Sequence, residues 1–227
     1  MNLLFSRSLR FLHIITPSIL VFILFLFSGS LMSQYKPIEK TDSIDFNSII
    51  NNPNGILMHE YLIKENRHTS QNRQVILHSS KEFTILCKFE KSCFYSFADS
   101  NSINAINKIF GYSFGSNHHN NSFRIGWRCK NNLIEVLAYW FIKRKHFDSH
   151  LFYIEPGELF FLNAAINSME TRINYSIEGR QLEYQDIVFN PDSVKLKNWG
   201  YVNYPYFGGK RKAPNDMVIN LKAWINK

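Results

Sequence analysis

The 227-residue sequence has little of what marks several protein classes. Cysteine is scarce, with only Cys87, Cys93 and Cys129. These form no Cys-x-x-Cys and no Cys/His spacing suited to zinc, so a zinc module and a disulfide-dense scaffold are excluded. An odd count leaves at least one thiol unpaired. A Cys87–Cys93 bridge would close a loop that strand geometry often forbids, and all three read as core thiols. Glycine (10) and proline (7) are too few for collagen-like or proline-rich material. Charged residues are 19% against 45% apolar, which excludes a charge-rich disordered chain and leaves material for one core. Acids are the minority, 18 against 26 Lys and Arg, for a net charge of +8. The cations are scattered, and no helix-turn-helix, finger spacing or RNP-like stretch accompanies them, so nucleic acid is not an expected partner. The surplus fits a mildly basic solvated surface or a polyanionic partner such as an acidic polysaccharide.

After the N-terminal region no long apolar run occurs. Arg7 and Arg10 precede an apolar stretch from Phe11 to Phe27, interrupted by His13, Thr16, Pro17 and Ser18. Ser28, Gly29 and Ser30 follow. This is the order of a secretory signal. The unbroken part, Ile19–Phe27, is short for a span of about 20 residues. Residues 1–30 are expected to be a signal peptide or, uncleaved, an N-terminal membrane anchor. The rest is then exported: secreted, periplasmic, or anchored facing outward. Residues 31–54 read as a polar lead-in and 55–227 as one domain, expected to be monomeric.

What is abundant is aromatic: 15% of residues, with 20 Phe and 11 Tyr, a bias toward pleated half-buried surfaces. Short β-like runs follow one another: Ile56–Ile63, Gln74–His78, Phe83–Phe89, Ser122–Cys129, Leu133–Ile142, Leu151–Ile154, Leu159–Ile166, Arg172–Ile177, Glu183–Phe189 and Met217–Trp224. Turn signals separate them, among them Asn131-Asn132, Pro156-Gly157, Gly179-Arg180 and Asn190-Pro191-Asp192. The pattern predicts an all-β sandwich or barrel. Ser102–Ile109 is ambiguous and could form a helical turn.

Alternation assigns faces, because side chains along a strand point to opposite sides with period two. Phe123, Ile125, Trp127 and Cys129 form one face of their strand; Ser122, Arg124, Gly126 and Arg128 form the other. In the next strand Ile134, Val136, Ala138, Trp140 and Ile142 face the core. The two strands should pair as a hairpin through Asn131-Asn132. Arg124, Arg128 and Tyr139 then share a face that is not the core. Such a face, with Tyr139 and Phe141 offering flat area and arginine able to grip a carboxylate, suits a sugar platform. Arg124 and Arg128 could equally be exposed sheet charges paired with Glu135. His118 and His119 lie in a loop-like stretch with no carboxylate nearby in sequence, and no metal or cofactor is expected. Lys210-Arg211-Lys212 reads as a solvated basic turn or an anion-steering lip.

Several of these motifs together resemble the alginate lyases of polysaccharide lyase family 14 and related uncharacterised bacterial all-β proteins. They are Lys108-Ile109-Phe110-Gly111, then Ser122-Phe123-Arg124-Ile125-Gly126-Trp127-Arg128, then Tyr139-Trp140-Phe141. Tyr206-Phe207-Gly208-Gly209 with Ala213-Pro214 and Asp216 resembles that family's late segment. The fold the resemblance implies is an antiparallel jelly-roll β-sandwich of the concanavalin-like kind. It carries the motif lysine onto Lys108, the serine and arginine onto Ser122 and Arg124, and the first tyrosine onto Tyr139. The second tyrosine falls on Phe141, which has no hydroxyl. Eliminating across a uronate needs a cation beside the carboxylate, a base for the neighbouring proton and an acid at the leaving oxygen. Arg124 fits the first role, Lys108 or His119 the second and Tyr139 the third. Asn121, Ser122, Arg128 and Phe141 are the candidate substrate-binding residues. A non-catalytic carbohydrate-binding module would keep the groove without the acid–base pair, and a structural or adhesion protein would need neither. The loss of one tyrosine favours the binding module.

Overall fold

A computed structural model describes residues 56–96, 104–167, 170–178, 183–188 and 195–225. The expected segments 1–30 and 31–54 lie outside the described residues, as do the turns at Gly179-Arg180 and Asn190–Asp192. The described chain is all-β, with one short 3₁₀ turn at Lys91–Cys93. Its strands are β1 (His59–Ile63), β2 (Leu77–His78), β3 (Glu82–Phe89), β4 (Asn107–Ser113), β5 (Asn121–Lys130) and β6 (Leu133–Ile142). They continue with β7 (Lys145–Ile154), β8 (Leu159–Ile166), β9 (Glu170–Ile177), β10 (Glu183–Val188), β11 (Gly200–Asn203) and β12 (Met217–Ile225). Two six-stranded antiparallel sheets result, β1-β12-β3-β8-β9-β10 and β2-β11-β4-β5-β6-β7. This is the jelly-roll sandwich that the alternation and the resemblance lead one to expect.

The core lies between the sheets, and the alternating faces build it. Ile125, Trp127, Val136 and Trp140 from the second sheet meet Phe83, Ile85, Phe89 and Phe160 from the first, all buried. Trp127 packs on Phe89 with ring centroids 5.0 Å apart. The β5–β6 hairpin forms as expected. Asn131 and Asn132 take φ of 52° and 63°, the paired left-handed turn that asparagine tolerates, and Arg124 lies directly opposite Tyr139. All three cysteines are buried free thiols.

Three expectations need correction. Asn107–Ile109 is not helical but opens β4, whose ladder to β5 satisfies its backbone. β7 begins at Lys145 rather than Leu151, because a two-residue turn at Lys143-Arg144, with φ of 48° and 69°, leads directly back along β6. The run expected at Gln74–His78 pairs as a strand only at Leu77–His78.

Candidate functional site

The outward face of the second sheet is a trough, and the strand register explains it. One row across the sheet runs Asn203, Gly111, Arg124 and Tyr139, on β11, β4, β5 and β6. The next row holds Ser113, Ser122 and Phe141. Tyr201 stands at its β11 end, where its backbone N–H donates to Ser113 Oγ. Apart from Arg124, small residues thus occupy the two middle strands of these rows, and bulky rings stand at the flanks. The depression is a cleft of about 890 Å³, walled by Tyr201 and Tyr206 on one side and by Tyr139 and Phe141 on the other.

Gly111 is required in this floor. A Cβ there would lie 2.2 Å from the Phe123 carbonyl oxygen and 2.5 Å from the Arg124 Cα. Lys108 reaches the same face through a β-bulge. The β4–β5 register shifts between Lys108 and Phe110, so that Lys108 opposes Gly126 while Gly111 opposes Arg124. Ile109 and Phe110 both turn into the core, and the extra residue returns Lys108 to the outer face. Tyr206 flanks it in a two-way backbone bridge, Lys108 N–H to Tyr206 O and Tyr206 N–H to Lys108 O. The late Tyr206–Gly209 segment therefore packs beside the motif lysine. Lys108 is thus a member of β4 rather than of a helical turn.

The electrostatics are one-sided. Arg73, Lys108 and Arg124 line the cleft with His118 and His119, and no Asp or Glu is among the described lining residues. Arg124 is 5% exposed, and its Nε and Nη2 are buried without a hydrogen-bond partner. What it does contact is aromatic: its guanidinium carbon is 5.0 Å from the Tyr139 ring centroid and 5.5 Å from that of Phe141. Desolvation pulls its pKa down to about 10, which leaves it cationic at neutral pH. The Lys108 Nζ donates to the Ile106 carbonyl and lies 4.2 Å from the Tyr139 centroid. Burial, then the charge of Arg124, lowers Lys108 to about 7. A buried amine at that value exchanges its proton near neutrality, which suits a general base. Burial raises the Tyr139 hydroxyl, and the opposing pull of Arg124 does not cancel the rise.

The histidines form one wall. His118 is half-buried, and its Nδ1 shares a 2.5 Å hydrogen bond with the Tyr201 hydroxyl. Burial first, then the Arg124, His119 and Lys108 charges, lowers it to about 4, so it is neutral at physiological pH. His119 is exposed, meets the Phe141 ring edge-on at 5.2 Å and is also lowered.

The cleft therefore brings together Lys108, His119, Arg124, Tyr139 and Phe141. Of the three other expected residues, Arg128 and Asn121 lie outside the cleft lining, and Ser122 is buried in the sheet beneath it. Arg128 Nε donates to Glu135 at 2.6 Å, part of a cluster with Lys130 and His150 around a buried carboxylate. Its cross-strand position opposite Glu135 commits it to that pair. Asn121 accepts the Lys143 N–H at the turn into β7. Ser122 lies fully buried in the sheet, its Oγ without a partner. Sequence reasoning missed Tyr201 and Asn203 because β11 is only four residues long. The signal was the alternation Tyr201-Val202-Asn203-Tyr204, whose apolar partners Val202 and Tyr204 are in the core. Lys210–Lys212 is exposed and lies outside the cleft lining.

No protein-family model matches this sequence, and no curated protein matches it. Among solved structures the chain is similar to the alginate lyase from Klebsiella pneumoniae, at 12% identity and a TM-score of 0.46. That alignment covers 63% of this chain and 58% of the lyase, so the chain spans less than two thirds of its length. It is similar as well to a functionally unknown protein from Saccharomyces cerevisiae, at 12% identity and a TM-score of 0.39, over 74% of this chain and 82% of that one. A third is the catalytic domain of a glycoside hydrolase family 131 protein from Coprinopsis cinerea, at 12% identity and a TM-score of 0.37, over 72% and 69%. At these values nothing about substrate or chemistry passes from those proteins to this chain.

Proposed function

We propose that the chain is an exported protein whose cleft binds an acidic polysaccharide, gripping a uronate carboxylate at Arg124. The observation that carries this reading is the unpartnered, buried guanidinium in a cleft lined by cations and no acid. A buried charge without a counter-ion is costly, and each unmet hydrogen bond adds to that cost. A carboxylate from outside the chain would supply both missing elements. The tyrosine and phenylalanine walls give a sugar ring flat apolar area to lie against.

A second reading, cleavage of that polymer by β-elimination, is favoured by one observation, the neutral-pH amine of Lys108 beside Arg124 and Tyr139. Lys108 would take the proton next to the carboxylate. The C–H electrons would form the new double bond as the glycosidic C–O bond breaks, and Tyr139 would protonate the departing oxygen. Paired-carboxylate hydrolysis is disfavoured, since it needs two acidic side chains across the scissile bond and the described lining has none.

The test is binding of alginate and polygalacturonate by the wild type and Arg124→Ala, with ultraviolet absorbance of the same mixtures to detect unsaturated ends. Binding that is lost in the variant supports the site, and new absorbance adds the lyase activity. Failure to bind any polyuronate, with the fold intact, would sink the proposal.

A further inference from the structure

The carboxylate grip has a second half on a strand that sequence patterning passes over. Among the described residues, five side-chain nitrogens are buried with no hydrogen-bond partner. Two are the indole nitrogens of Trp127 and Trp140, on the core-facing side of the sheet. The other three all belong to Arg124 (Nε and Nη2) and Asn203 (Nδ2). These two residues stand in one row of the sheet, separated only by Gly111. Two strand spacings put their backbones about 10 Å apart. Gly111 puts no side chain between them; the Arg124 stem leans over it, its Cγ 3.0 Å from where a Cβ would stand, and both residues line the cleft.

We propose that Asn203 is a specificity-determining residue, completing with Arg124 a three-donor cradle for one sugar carboxylate, with Gly111 as the obligatory gap. This rests on the binding reading above and assigns to Asn203 the preference for a carboxylated over a sulfated polymer. The chemistry of the donors carries the distinction. The guanidinium Nε–H and Nη–H form a planar fork that matches the two oxygens of a carboxylate. The Asn203 amide supplies a third N–H to a remaining lone pair, and a carboxylate has about four such sites in its plane. A tetrahedral sulfate ester places its third oxygen out of that plane, where no further donor of this row stands. An amide also grips without adding charge, so it does not worsen the repulsion between Lys108 and Arg124.

Titration calorimetry with polygalacturonate and with dextran sulfate tests this on the wild type, Asn203→Ala and Asn203→Asp, with thermal melts to verify folding. Asn203→Ala should weaken polygalacturonate binding by about ten-fold, the weight of one hydrogen bond to a charged group. Dextran sulfate binding should be unchanged by it. Asn203→Asp should supply the missing carboxylate internally, pair with Arg124, and lower polygalacturonate affinity by about a hundred-fold or more without lowering the melting temperature. If Arg124→Ala loses polygalacturonate while both Asn203 variants bind like the wild type, the cradle is wrong and the binding reading stands. A wild type that prefers dextran sulfate also overturns the cradle. A wild type that binds neither polymer overturns both.

Discussion

Lys108 and Arg124 share one aromatic ring: the ammonium lies 4.2 Å and the guanidinium carbon 5.0 Å from the centroid of Tyr139. A ring can attract each cation, but it cannot neutralise two. With no carboxylate among the described lining residues, burial and then the Arg124 charge bring Lys108 down to about 7, while Arg124 keeps its charge.

This pair should leave a mark on stability. An unfolded lysine holds its proton to about 10.4, whereas folded Lys108 loses it near 7. Between those values the unfolded chain binds the extra proton, so stability rises with pH through that window. Below about 7 the folded chain must keep a buried ammonium, and the advantage is gone. Lys108→Met should flatten the slope and stabilise the protein at mildly acid pH by about a few kcal/mol. Denaturant unfolding at mildly acid and mildly alkaline pH measures this. An unchanged slope in the variant would show that Lys108 is solvated.

Binding should move the same proton. Burial and then the Arg124 charge keep Lys108 neutral; a polyanion beside Arg124 offsets the second, so complex formation above about 7 should take up a proton. Affinity should fall as pH rises through that value. His119, also held low by burial and by these two cations, adds attraction only when it is protonated on the acid side. Calorimetry in two buffers of different ionisation enthalpy reads the uptake directly. Lys108→Met should abolish it, while Tyr139→Phe should leave it in place.

The extent to which sequence revealed this site follows the physics of alternation. β5 and β6 are long, and their core faces repeat without interruption, so Arg124 opposite Tyr139 is legible in the sequence alone. Lys108 was not placed within a strand, because the bulge sets Ile109 and Phe110 side by side in the core and erases the period of two. The first half of β7 is polar and largely exposed, so it carries no pattern, and its turn uses Lys143-Arg144 in place of the usual asparagine and glycine. Asn203 sits on a strand too short to repeat. The role of Arg128 depended on a partner across the hairpin, which alternation offered only as one of two options.

Arg128 should behave as a structural residue. It holds Glu135, a carboxylate 2% exposed, at 2.6 Å. Burial alone would raise the Glu135 pKa, but Arg128, with help from Lys130 and His150, brings it below the usual value. A depressed carboxylate stabilises above its unfolded pKa of about 4.3, and that contribution is lost as pH falls through the folded value. Arg128→Ala should cost about 3 kcal/mol, the scale of stranding a buried charge. Polyuronate affinity should stay within about two-fold of wild type, because the salt bridge, though on the same sheet face as Arg124, lies outside the cleft lining. Melting curves and titrations on one preparation measure both, and a variant that melts normally but binds weakly would return Arg128 to the site.

Phe141→Tyr asks whether chemistry is limited by a missing hydroxyl. The Phe141 ring lines the cleft 5.6 Å from Tyr139 and half-exposed, so an added oxygen meets solvent rather than packed core. The hydroxyl would enter the cleft close to Tyr139, the single ring hydroxyl now facing Arg124 on the β6 side. In the elimination reading one group must take a proton and another must give one, and positioned proton transfer is commonly worth about 100-fold or more. Phe141→Tyr should therefore raise the rate at which unsaturated, ultraviolet-absorbing ends appear on polyuronate by about ten-fold or more. Affinity should change little, since the ring keeps its place against the sugar. A variant that binds as before and yields no such ends, like a wild type that yields none, would leave the cleft a binding site alone. The low pKa of the Lys108 amine would then be a consequence of burying it beside a second cation, and would serve the grip on the carboxylate rather than the breaking of a bond.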